Sequence, residues 1–213
     1  MLTIWGRKTS SNVQALMWCV GELALDFQRH DVGHRFGGLN TDAFRKLNPN
    51  GTIPVIQDDT LPPLWETAAI LRYLAKTYGE DEFWPRNPIQ QAEVDKWAEW
   101  AKINIAMAFT VPVFWQVVRT SQAERDQQAV KNAVTALESK LAIADAQLSE
   151  HTFLCGSCLT LADIQLGHIL YRYYNIEISR TSLPNLRRYY ERLADRAAYR
   201  NHVMISYDEL RAG

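Results

Sequence analysis

Cysteine is scarce in this chain of 213 residues: Cys19, Cys155 and Cys158 are the only three. Three is too few, and odd, for a disulfide framework, which makes a reducing cytoplasm the expected setting. A surplus of either charge is also missing. Lys and Arg total 23, Asp and Glu 24, for a net charge of −1. That balance gives no electrostatic case for binding nucleic acid or an anionic membrane. No uninterrupted apolar run reaches the roughly 18–20 residues of a membrane span. The start, MLTIWGRKTSS, has too short an apolar stretch for a secretory signal, and no small-residue cleavage site follows it. There is no low-complexity tract and no internal repeat. One local absence matters later: residues 1–18 contain no Tyr and no Cys.

What is present divides the chain. LTIW (2–5) reads as a strand. Val13, Leu16, Met17, Val20, Leu23 and Ala24 then follow the i, i+3, i+4, i+7 spacing of an amphipathic helix, with Ser10, Ser11 and Asn12 as capping types before it. Residues 25–32 read as a second strand. VGHRFGGLN is a glycine-rich loop, and TDAFRKL a short helical turn. NGTIPVI (50–56) is a turn entering a third strand. LPPLW, with Pro62 and Pro63, can only be an edge or end strand. ETAAILRYLAKTYG is a helix with Ile70, Leu71, Leu74 and Tyr78 on one face and Gly79 as its stop. The segment 80–88 carries charge and two prolines but no period, as a linker does. Beyond it every pattern is helical: 89–120, with Pro112 as a candidate kink, 122–149, and two more starts near Thr160 and Pro184.

The chemistry-bearing positions lie in the first part. Pro54 has no N–H to give a sheet ladder, so a central strand should reject it. A cis bond would make it tolerable and would turn the N–H and C=O of Ile53 outward, free to pair with a bound peptide. The plainer reading is that Pro54 caps an edge strand. Glu66 and Thr67 stand at a helix start, where free N–H groups and the positive dipole end suit a carboxylate. The Glu66 carboxylate suits an ammonium; a purely structural cap is the alternative. Cys155-Gly156-Ser157-Cys158, with His151 nearby, lacks the remaining ligands of a tetrahedral metal site and is read as a loop. Trp97, Trp100, Phe109, Phe114 and Trp115 form a mostly core stripe, with one or two near Phe109–Trp115 facing a pocket.

Together NPNGTIPVI and ETAAILRYL, behind an N-terminal β-α-β, resemble the cytosolic glutathione transferases, and the resemblance runs over essentially the whole chain. LTLADIQLG (159–167) resembles the capping box of the central helix in that family's second domain. The resemblance implies an α/β thioredoxin-like domain over 1–79, a linker over 80–88, and an all-helical domain over 89–213 that forms the second-substrate pocket. It implies that Ile53, before a cis Pro54, pairs with the cysteinyl part of glutathione, and that Glu66 and Thr67 hold the γ-glutamyl end. His34 and Arg35, with Asn40 and Lys46 behind them, are candidates for the glycine carboxylate. The family's thiolate partner at the first β-to-α junction is Tyr, Ser or Cys. Here a hydroxyl type alone fits, and the serine-type pattern points to Ser10, with Thr9, Ser11 and Asn12 in competition.

The resemblance implies a glutathione transferase with a serine-type site. Its co-substrate is glutathione, its second substrate a hydrophobic electrophile or a peroxide, and it needs no metal. A cytoplasmic homodimer serving detoxification is expected, with no nucleic acid or membrane partner. Glutathione-dependent disulfide reduction is the rival within enzymes, and a non-catalytic binding or assembly module the rival outside them.

Overall fold

The computed structural model describes residues 1–59 and 62–212. The expected LPPLW strand begins at Leu61, outside the described residues; Leu64–Trp65 of it does pair. The strands are β1 (Leu2–Trp5), β2 (Phe27–His30), β3 (Val55–Asp58) and β4 (Leu64–Trp65). They form one mixed sheet in the order β2-β1-β3-β4. β2 runs parallel to β1, whereas β3 is antiparallel to it, with Ile4 opposite Ile56 and Trp5 opposite Val55. β4 closes the edge, as its flanking prolines require. Helices α1 (Ser11–Glu22), α2 (Asp42–Leu47) and α3 (Thr67–Tyr78) complete this thioredoxin-like layer. Gly79 ends α3, but in extended backbone (φ −77°), not the left-handed turn that a glycine stop suggests. Tyr78 is exposed and does not share the buried face of Ile70, Leu71 and Leu74.

From Pro88 onward the described elements are helical. The long helix α4 (Pro88–Arg119) begins with Asn87, whose Oδ1 accepts from the Ile89 and Gln90 amides. By length and composition alone α4 could cross a bilayer. Uninterrupted runs hide this, because Lys102 and Asn104 break the apolar pattern. In this fold Ala98, Ala101, Ile105, Phe109 and Val113 of α4 are buried in the core. Helical backbone continues through Pro112. The helix widens into i→i+5 turns over Ala101–Ala106 and again over Thr110–Arg119, and the second stretch absorbs the missing proline N–H. There follow α5 (Gln127–Glu150), α6 (Leu161–Gly167), α7 (Leu170–Asn175), α8 (Pro184–Ala194) and α9 (Ala197–His202).

The two halves share a core. Trp18 of α1 is fully buried and meets Tyr199 of α9 edge-on, with ring centroids 4.8 Å apart. Gly167 of α6 makes room for it: a Cβ there would stand 2.7 Å from the indole. Arg196 clamps Glu22 at the end of α1, at 2.6 Å. The helical half therefore packs on the first helix of the sheet domain and fixes the turn that leads into it.

Candidate functional site

β1 runs into α1 through a tight turn. Gly6 (φ 155°) lies against the helix, where a Cβ would come 2.5 Å from Val13 Cγ2. Ser10 is the N-cap residue. Its carbonyl accepts the first helical bond, from Gln14 N at 2.9 Å, but its hydroxyl makes no capping bond. Ser11 is the first helical residue, so the helix starts one position earlier than the apolar period suggests. Ser10, a capping type that does stand at the N-cap, therefore does not cap α1 through its side chain. The first-turn amides thus have no side-chain cap from the N-cap residue, beside a half-buried free hydroxyl. Thr9 is buried, and its hydroxyl donates to Glu209 Oε1 at 2.5 Å. Asn12 Oδ1 accepts from Lys102 Nζ of α4 at 2.9 Å.

The Ile53–Pro54 peptide is cis. Asn48 holds the loop before it. Its amide nitrogen donates to Thr52 O at 2.9 Å, and its oxygen accepts from Asn50 N at 3.0 Å. The backbone N–H and C=O of Ile53 find no partner among the described residues. Pairing in β3 begins only at Val55. Glu66 is the N-cap of α3, not part of its first turn, and carries φ 71°, a left-handed value that a β-substituted residue rarely adopts. Its side chain is exposed and does not cap. Thr67 behind it is buried.

Lys102 links these pieces. Burial lowers its pKa, and Glu66 and then Glu99 oppose that shift. It is a cation from the helical half that donates to Asn12 and feels the charge of Glu66. Sequence reasoning passed over it, although a lone lysine inside AKINIAMAFTVPVFW is a visible signal. His168 of the same buried region bonds Ile164 O through Nδ1 at 3.2 Å. Its burial, with the Lys102 charge next, pushes its pKa down to about 3, so it stays neutral.

The proposed glycine-end residues fare unequally. Arg35 is exposed and pairs with Glu209 Oε2 at 3.0 Å. Asn40 accepts from Arg45 at 3.1 Å. His34 lies on the rim of a hollow of about 360 Å³ that Gly33, Gly37 and Asn40 also line. Lys46 is exposed on α2. Of the aromatic stripe, Phe109 and Phe114 are core, whereas Trp115 is exposed. A cleft of about 510 Å³ near Arg125, Glu138 and Arg180 holds none of these residues. Cys155 is no candidate nucleophile: burial pushes its thiol up to about 12.

Two family models match. The glutathione S-transferase N-terminal domain covers residues 9–77 and the C-terminal domain residues 102–197. The chain is 36% identical to the glutathione S-transferase GstB of Escherichia coli (strain K12) over 207 residues, spanning 96% of this chain and 99% of that one. It superposes on the theta class glutathione S-transferase of Xanthomonas axonopodis pv. citri with glutathione bound at a TM-score of 0.90. That pair is 41% identical, over 96% of this chain and 98% of that one. The glutathione transferase BmGSTD1 of Bombyx mori shares the fold at a TM-score of 0.86 with 22% identity, covering 98% of this chain and 95% of that one.

Proposed function

The chain belongs to the glutathione S-transferase family, and from that premise we propose that it binds glutathione, holds its sulfur as thiolate and directs it at an electrophile. The observation that carries this reading is the open corner at the start of α1, a free Ser10 hydroxyl beside uncapped amides. An unperturbed thiol titrates near 8.5, and the thiolate is the nucleophile. A hydroxyl donor and a helix N-terminus both stabilise the anion. In this reading Ser10 is the catalytic residue. Thr9 is committed to Glu209, and Asn12 is held by Lys102 as a positioning residue. Ser11 lines the corner.

The rest of the tripeptide follows the same logic. Ile53 offers its unpaired backbone groups to the cysteinyl unit, with Pro54 shaping the turn. Glu66 takes the ammonium of the γ-glutamyl end and Thr67 its carboxylate. His34 meets the glycine carboxylate, with Arg35 reaching it only by leaving Glu209. Residues 1–79 act as the glutathione domain and 89–213 as the domain of the second substrate, joined by 80–88. No metal takes part in these steps. We place the protein in the cytoplasm as a homodimer with a detoxifying role. The exposed Ile103, Met107 and Val111 of α4 offer an apolar stripe for a second copy to cover.

Retention on immobilised glutathione with elution by free glutathione, followed by turnover of a halo-aromatic, an organic peroxide and a mixed disulfide, tests the reading. Retention with halo-aromatic turnover is expected. Turnover of the mixed disulfide alone would favour reductase chemistry, and failure to bind would favour a non-catalytic module.

A further inference from the structure

The turn that carries Ser10 also holds guanidinium Nε donors that find no acceptor among the described residues. Arg7 is half-buried, and its Nε–H is buried with no acceptor among the described residues. Arg172 of α7 is buried and donates to Thr9 O at 2.7 Å, but its Nε is likewise unpartnered. Its guanidinium lies over the Phe114 ring at 4.6 Å. Arg119, at the end of α4, is exposed and lies over the Trp115 ring at 4.4 Å. Burial and then the charge of Arg119 depress the Arg7 pKa, with Glu209 opposing. Burial and then the charge of Arg7 push Arg172 down to about 10, still cationic at neutral pH. Glu209, the carboxylate that opposes this charge at Arg7, is shared between Thr9 and Arg35.

Arg7 of the turn and Arg172 of α7, which reaches Thr9 of the same turn, thus bring two guanidiniums with unmet buried donors together, and the charge of Arg119 is felt at Arg7. Leaving such donors unmet in a partly dry place is unfavourable unless an anion completes them. Arg119 covers one face of the exposed Trp115 ring, which sets a cation and an aromatic surface side by side. We propose that the Arg7–Arg119–Arg172 cluster seats the acid group of the second substrate, an aryl electrophile that bears a carboxylate; this rests on the glutathione transferase reading above. It narrows the expected hydrophobic electrophile to an amphipathic one. With 4-chloro-3-nitrobenzoate as the probe, the thiolate sulfur attacks the ring carbon that carries chlorine. A C–S bond forms, the C–Cl bond breaks, and chloride leaves with the bonding pair. The thiol proton has already gone to solvent.

Calorimetry with two glutathione conjugates that differ only in charge tests this without requiring turnover: S-(4-carboxy-2-nitrophenyl)glutathione and its neutral carboxamide. The wild type is expected to bind the acid about ten- to a hundredfold tighter than the amide, the range of a charge-assisted hydrogen bond. Arg7→Gln collapses that ratio, Arg119→Gln lowers it, and Arg7→Lys retains most of it. Arg119 is exposed, so its variant reports even if Arg7→Gln folds poorly. Equal affinities for acid and amide in the wild type overturn the proposal while free glutathione still binds. So does an Arg7→Gln variant that loses glutathione and both conjugates alike, which would assign the cluster to glutathione itself. If glutathione does not bind at all, the transferase reading fails first and this inference with it.

Discussion

Two helix starts in this molecule use similar residues for opposite ends. At α1, Ser10 sits in the N-cap position and its hydroxyl caps nothing. At α6, Thr160 is the N-cap, and the Asp163 carboxylate accepts from the Thr160 amide and hydroxyl, the Leu154 amide and the Tyr189 hydroxyl, all within 3.0 Å. Asp163 is fully buried, and burial lifts its pKa while these four donors pull it down. A closed start holds a core together; an open one keeps its donors for something that arrives. The sequence marks the difference three residues on: Thr160 has Asp163 to complete a capping box, whereas Ser10 has Val13.

Substitutions at each start sharpen the contrast. Asp163→Ala has the largest expected effect. It orphans buried donors at about 1–3 kcal/mol each, so a loss of at least ~3 kcal/mol follows, roughly 10 °C in Tm. Thermal unfolding checks it, and glutathione affinity of the folded fraction should stay close to wild type. Ser10→Ala inverts that pattern. Stability should change by no more than about 0.5 kcal/mol, since no cap is lost. The thiol of bound glutathione should titrate about one to two pH units higher, the worth of one hydrogen bond to an anion. Ultraviolet titration of the thiolate reads this directly, and an unshifted curve would sink the Ser10 assignment.

A third start, at α3, is open like the first. Glu66→Gln keeps the size but removes the charge offered to the ammonium, and calorimetric affinity for glutathione should fall about ten- to a hundredfold. At the far end of the closed helix, His168 sets a pH dependence. Its folded pKa of about 3 lies below the unfolded value of 6.5. The unfolded chain therefore binds the extra proton, and stability is lost as pH falls from about 6.5 toward 3. His168→Gln should flatten this acid limb by about 2 kcal/mol at pH 5, measured by urea unfolding at pH 7 and pH 5. Ser11→Ala should be the quietest change, within about 0.5 kcal/mol in stability and with an unshifted thiol titration, because no cap goes with it. A clear stability deficit there would mean that α1 is capped after all.

The sheet domain was legible because its signals are local. The period of α1, the proline in NGTIPVI and the helix after Glu66 each occupy a short window, and the cis bond follows from one residue. At the first β-to-α junction the family resemblance, with Tyr and Cys missing from residues 1–18, left only a hydroxyl type, and the partners that separate Thr9 from Ser10 were not legible. What stayed hidden depends on contacts across long sequence separations. Lys102 reaches Asn12 over 90 residues, and Arg172 reaches Thr9 over 163. Such contacts leave no periodic trace. The two wide-turn stretches of α4 were also illegible, because hydrophobic period alone does not separate 3.6 from the slightly larger repeat that proline and the crowded interdomain face impose here.

The Thr9–Glu209 hydrogen bond joins residues 200 positions apart. During synthesis the loop that carries Ser10 leaves the ribosome early, while the carboxylate that fastens it is made 200 residues later. A nascent sheet domain lacks the Tyr199 ring that meets Trp18 of α1, and the Thr9 hydroxyl lacks its carboxylate until Glu209 arrives. The loop that carries Ser10 is thus fastened by residues made much later, Arg172 at the Thr9 carbonyl and Glu209 at its hydroxyl.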